Sequence, residues 1–127
     1  MSITDSFDAK AELLRTLESN AFLSKEVTGD FHNKVASEVD PFPRIVYQEI
    51  SNSDSDFADN QAASSVVAFQ ISIYCDEETI SKETKIAKEV DKVLKSIGYK
   101  RYDSIDLFEE DTRRHHKAMR YRKKVFT

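Results

Sequence analysis

The sequence predicts an α+β fold: about four strands in a mainly antiparallel sheet, with two main helices packed against it, in the order α-β-β-α-β-β. Three observations predict it. "SVVAFQISIYC", residues 65 to 75, alternates apolar and mixed positions as a strand covered on one side does. Two stretches, 4 to 20 and 76 to 98, repeat apolar residues at helical spacing between capping signals. Of 127 residues, 39% are apolar and 33% charged, and the mean hydropathy is −0.56, which suits a thin core with much wet surface in one domain over 1–127.

Each element follows in order. "TDSFDAKAELLRTLESN", 4 to 20, begins with Thr4 or Asp5 as cap and Asp8 in the first turn. Phe7, Ala11, Leu14 and Leu17 share a face, with Leu13 beside them, and Asn20 is a plausible stop. Residues 24 to 43 hold a turn signal at "TGD" and a "DPFPR" run that resists helix, and take no assigned element. "RIVYQEI", 44 to 50, is β-branched and aromatic, hence a strand. "SNSDSDFADNQAAS", 51 to 64, has no periodicity and is expected to be a long mobile loop, with Asp54, Asp56, Phe57, Asp59 and Asn60 as candidate assembly residues.

In 65 to 75, Val67, Phe69, Ile71 and Ile73 point to the core. The helix of 76 to 98 has acids at its start and Gly98 at its end. Its expected stripe is Ile80, Ala87, Val90, Leu94 and Ile97, with Ile86 and Val93 at the edge. "YKRYDSIDLFEED", 99 to 111, reads as a strand that ends in an acidic turn. The last strand, 113 to 126, alternates Met119, Tyr121 and Val125 with Ala118, Arg120, Arg122, Lys124 and Phe126.

Charge is distributed unevenly. The net charge is −4, yet residues 113 to 127 hold seven bases and no acid; 23 acids and 12 bases in residues 1 to 112 leave −11 there. The basic residues are Arg113, Arg114, Lys117, Arg120, Arg122, Lys123 and Lys124. Three uses fit such a run: a solvated edge strand, a surface for self-assembly or a partner, and a nucleic-acid contact. Too few aromatics interleave with it for a base-stacking platform, and the acidic remainder repels a polyanion.

Catalytic and cofactor signals are weak. Gly29 and Gly98 are the two glycines, too few for a phosphate cradle. Cys75 is followed by three acids that oppose a thiolate. His115 and His116, adjacent on a strand, face opposite sides and do not chelate one ion. "DSDFADN", 54 to 60, lacks the central glycine and closing glutamate of a calcium loop. No metal, cofactor or enzymatic role is expected. There is no long apolar run, and the first ten residues carry no apolar signal core, so neither a membrane contact nor secretion is expected. One cysteine suits a reducing compartment.

"PFPRIVYQEI" at 41 to 50, "DFADN" at 56 to 60, "VVAFQISIYCDEET" at 66 to 79, "KSIGYKR" at 95 to 101 and "DLFEEDTRRHHKAMRYR" at 106 to 122 occur in succession. This succession resembles tail-completion proteins of long-tailed phages and prophages of Gram-positive bacteria, also called tail terminators or tail-to-head joining proteins. The resemblance spans roughly residues 40 to 125, and the N-terminal helix stands where the family has one. It implies a small α/β domain without catalytic residues or cofactor. The implied role is a structural virion protein that forms a ring, usually a hexamer, at the head-proximal end of the tail. Such a ring stops tube growth and docks to the filled head, with the tail-tube protein and a head-completion protein as partners. DNA passes through its lumen without specific binding, and assembly takes place in the host cytoplasm. Two alternatives remain: a head-completion adaptor or stopper below the portal, and a small nucleic-acid-binding protein that uses residues 113 to 124.

Overall fold

A computed structural model describes residues 3–127. One five-stranded sheet, in spatial order β1-β2-β3-β5-β4, carries helices on one face. A short helical turn at Ser6–Asp8 leads into α1 (Ala9–Glu18), followed by α2 (Ala21–Glu26), β1 (Phe31–Asn33), β2 (Arg44–Ala58) and β3 (Gln61–Cys75). A second turn, Ile80–Lys82, leads into α3 (Glu83–Ser96), then β4 (Lys100–Glu109) and β5 (Arg114–Phe126). The expected α+β architecture is present, and every strand pair but one is antiparallel.

The additions to the expected order are β1 and α2. Three residues of β1 run parallel to Ile45–Tyr47, too few to leave a pattern in sequence. Asn20 does end the first helix, and it also starts the next. Its side chain accepts from Leu23 N at 2.9 Å, and its amide donates to Glu89 on α3 at 2.9 Å.

Helix faces differ in phase from expectation. In α1 the buried stripe is Ala9, Leu13 and Leu17, while Phe7 and Ala11 are exposed and Leu14 is half-buried. Asp5 caps Phe7 N at 2.9 Å, but the first turn is a tight helical turn that rotates Phe7 away from the sheet. In α3 the fully buried residues are Ile86, Val90 and Leu94, so Ile86 is central, whereas Ile80, Ala87, Val93 and Ile97 flank it. The cause is that α3 begins at Glu83; Ile80 sits in the preceding turn, organised by Asp76, whose carboxylate accepts from Thr79 N at 2.9 Å and Thr79 Oγ1 at 2.8 Å. Gly98 stops α3 as expected, at φ +98, a left-handed conformation that disfavours side-chain-bearing residues.

The largest correction concerns residues 51 to 64. They are not a loop but the turn end of a β-hairpin, with β2 and β3 each 15 residues long. Ala58 pairs with Gln61, and Asp59 and Asn60, at φ 53 and 63, make the two-residue turn. Such turns need left-handed backbone at both central positions, which Asp and Asn tolerate better than most residues. The far half of the hairpin is polar because it reaches beyond the helices and buries little. Its ladder and polar pairs hold it: Ser64 Oγ donates to Asp56 Oδ2 at 2.9 Å, and Ser65 Oγ donates to Asp54 Oδ1 at 3.2 Å. Replacing Asn60 with glycine relieves the remaining left-handed strain. The expected result is a gain of about 0.5 kcal/mol in urea unfolding; a loss would mean that the Asn60 side chain supports the turn.

The core lies between the helices and one sheet face. Phe69, Ile71 and Ile73 of β3 meet Ile45 and Tyr47 of β2, Met119 and Tyr121 of β5, and the helix stripes. Alternation in 65 to 75 therefore faces the way the sequence predicts. Away from the helices the other sheet face is open, except at one end. There Arg44, on β2, lies beneath segment 34–43 and donates from Nη1 to the carbonyls of Ser37, at 2.7 Å, and Asp40, at 3.2 Å.

Candidate interface on the open sheet face and its edges

Alternation along β5 divides the basic residues between two environments. Lys117 and Lys123 share the helix-side face with Met119 and Tyr121, whereas Arg114, Arg120, Arg122 and Lys124 lie on the open face.

Most of these charges have acidic partners within the chain. Lys123 is the deepest: its side chain is 8% exposed and pairs with Glu12 of α1, which is 10% exposed. Its ammonium also donates to the Ile97 carbonyl at 3.0 Å and lies 4.8 Å from the centre of the Tyr99 ring. Lys117 pairs with Asp106 of β4 at 2.6 Å, Arg113 with Glu77 at 2.6 Å, Arg114 with Glu38 at 3.5 Å and Lys124 with Asp56 at 2.7 Å. Lys124 and Ser64, both hydrogen-bonded to Asp56, hold its carboxyl below the usual carboxylate range. The supposed loop and the basic strand are thus joined to each other.

Arg120 and Arg122 have no carboxylate within ion-pair distance among the described residues. Arg120 donates to the Gln70 side chain at 3.1 Å, and Arg122 lies over the Tyr102 ring at 5.1 Å. Arg122 is also directly opposite Lys100 in the ladder, a like-charge pair that disfavours the strand contact. Lys100 did not stand out in the sequence because its neighbour across the ladder lies twenty-two positions away.

The structure does not bring the candidate residues together at one place. Arg120, Arg122 and Lys124 form one row on the open face, as alternation predicts, with Asp56 reaching Lys124 from the hairpin. Lys123 is withdrawn from any outer surface, and Asp59 and Asn60 form the hairpin turn next to the exposed ring of Phe57.

Sequence reading missed the two edges. β4 is exposed along nearly its whole length, on both faces. Tyr102, Ile105, Leu107 and Phe108 are each 39–50% exposed. At the other side of the sheet, β1 covers β2 at Ile45–Tyr47, and Gln48–Ala58 has no strand beyond it among the described residues. The signal for β4 was available: Ile105, Leu107 and Phe108 are apolar at positions of both parity, so they do not all face one core.

Reactive groups are embedded. Cys75 is fully buried, and its thiol is pushed up to about 11 by burial, with Glu83 acting in the same direction. His115 and His116 lie on opposite faces, as adjacent strand residues must. His115 packs against Phe108 with ring centres 4.8 Å apart, and His116 stacks on Tyr74 at 4.2 Å. Burial holds His116 below the ordinary imidazole range. At Asp91, burial pushes the carboxyl up, but Lys95, the Tyr121 hydroxyl at 2.7 Å and Arg101 at 3.1 Å outweigh it and hold it low.

No family model matches this chain, and no curated protein does. Solved structures do. A chain of the virion of the native gene transfer agent (GTA) particle superposes with a TM-score of 0.65 at 15% identity, covering 91% of this chain and 92% of that one. The bacteriophage SPP1 gp17 protein superposes with a TM-score of 0.54 at 14% identity, covering 94% of this chain and 90% of that one. What is shared at such identities is the fold, and it is shared from end to end.

Proposed function

We propose that this chain is a structural virion protein that ends growth of the tail tube and forms the ring joining tail to head. The observation that carries the reading is the end-to-end match of its fold to a gene transfer agent virion chain and to the SPP1 gp17 protein. The succession of segments between residues 40 and 125 supports the same reading from sequence alone. In it the chain sits at the head-proximal end of the tail, as a hexamer, between the tail-tube protein and a head-completion protein. Arg120 and Arg122, the cations of β5 without an acidic partner among the described residues, face a neighbour. Pairing of the other basic residues with acids in the same chain counts against a nucleic-acid grip, since few charges are left to displace counterions from phosphate. DNA then passes the ring without being held.

Deleting the gene in the phage or prophage that carries it tests the role by electron microscopy. The expected result is tails of irregular length that are not joined to heads. Restoring the gene with Arg120→Glu and Arg122→Glu is expected to restore joining at least tenfold less well than the native gene. Normal particles after deletion would overturn the reading. Tails of normal length beside emptied heads would replace it with a head-completion role.

A further inference from the structure

We propose that the outer edge of β4 in one copy of this chain adds to the free edge of β2, Gln48–Ala58, in a second copy, so that the sheet continues from subunit to subunit. This deepens the ring reading and rests on it for closure into a ring.

Unpaired strand edges are templates for further strands, and monomeric proteins blunt them with short strands, bulges, charge or cover. The β1 edge is blunted in that way, by a strand of three residues beside segment 34–43. The β4 edge is ten residues long, and although Lys100, Arg101, Asp103, Asp106 and Glu109 put charge on it, it exposes Ile105 and Leu107 on the open face and Phe108 on the other. Its one irregularity, between Arg101 and Asp103, lies near its start and leaves Ser104–Glu109 regular.

The two edges complement each other in charge at one end: antiparallel pairing brings Lys100 and Arg101 of β4 toward Asp54 and Asp56 of β2, while Asp103, Asp106 and Glu109 follow along β4. Gln48–Ala58 contains Glu49, Asp54 and Asp56 and no base. It also exposes Ile50 and Phe57. At the start of β4, Lys100 and Arg122 face each other without a carboxylate among the described residues. An incoming acidic strand supplies the anions that this like-charge pair lacks.

Strand direction agrees. β2, β3, β5 and β4 alternate in direction, so β4 runs opposite to β2. Copies set side by side without inversion therefore meet in antiparallel pairing. The two edges lie at opposite sides of the sheet, so the contact is heterologous: each copy offers one edge and receives on the other, which generates rings or filaments. A hydrogen-bonded ladder supplies affinity, and alternate side chains supply register.

Two single-cysteine additions test the pairing at near-millimolar protein: Ser53→Cys on β2 and Ile105→Cys on β4. Both positions are exposed and both belong to the open-face register, while native Cys75 is buried. With a short bismaleimide, the mixture of the two variants is expected to give a cross-linked dimer at least tenfold more abundant than either alone. Adding Leu107→Lys to the β4 variant is expected to reduce that dimer at least fivefold with an unchanged far-ultraviolet spectrum. A dimer from Ile105→Cys alone would overturn the proposal in favour of two-fold β4 pairing. A yield no higher than that of Lys92→Cys, exposed on α3, would overturn it outright. The functional reading fails separately. Normal particles after gene deletion, with the mixed cross-link intact, would remove the tail role and leave the edge pairing.

Discussion

Replacing Lys123 with methionine is expected to lower stability by about 4 kcal/mol, measured by urea unfolding followed by circular dichroism. Lys123 stands in the most basic run of the chain but acts as an internal tie. Its ammonium lies among the Glu12 carboxylate, the Ile97 carbonyl and the Tyr99 ring, and little of either charged side chain reaches water. Methionine fills the same stem volume, so the loss isolates the charge. What remains is a buried Glu12 carboxylate without its cation, and leaving such a charge unpaired is the main cost. The double variant Glu12→Met with Lys123→Met is expected to recover most of the loss, because no buried charge is left. A single-variant loss below about 1 kcal/mol would show instead that the pair behaves as an exposed one.

Replacing Gly29 with alanine is expected to lower stability by about 3 kcal/mol and the melting temperature by roughly 10 °C. Gly29 is the point where the chain between α2 and β1 presses on the segment that enters β2. An added Cβ would lie 1.9 Å from the Pro41 carbonyl oxygen and 2.7 Å from Arg44 Cβ. The nearest obstacle is backbone, so no side-chain rotation relieves it. The same backbone is held from several sides: Gly29 N donates to Pro43 O at 2.9 Å, and Thr28 Oγ1 donates to Phe42 O at 2.8 Å. Moving it disturbs Arg44, whose buried guanidinium depends on carbonyls of residues 37 and 40. An unchanged melting temperature would mean that residues 41 to 43 are not seated against Gly29.

The parts of the fold legible in sequence are those with one face dry and one wet. Val67, Phe69, Ile71 and Ile73 alternate because helices cover their side of β3, and the core lies there. Gly98 was legible because a helix end in left-handed backbone selects it. The hairpin beyond Glu49 was not, because wet residues on both faces leave no alternation; Ser51, Asp54 and Ser55 are held by a partner strand and not by burial. Asp59-Asn60 was the surviving trace of the turn. Composition around residue 120 reported charge correctly but could not report neutralisation, since Glu12 lies 111 positions from Lys123 and Asp56 lies 68 from Lys124. Pairing across such separations is set by topology.

The strand order has a consequence for how the chain is made. β5 is the last of the described strands in chain order, yet it sits inside the sheet between β3 and β4. Until it emerges, β3 has no neighbour on that side, β4 has none at all, and Glu12 waits for Lys123. The nascent chain therefore completes its sheet only after residues 114 to 126 have been made, with apolar strand edges open in the meantime. A copy stalled short of residue 114 would offer β3 and β4 to whatever strand came first, so chaperone dependence and misassembly should concentrate in truncated products and spare full-length ones.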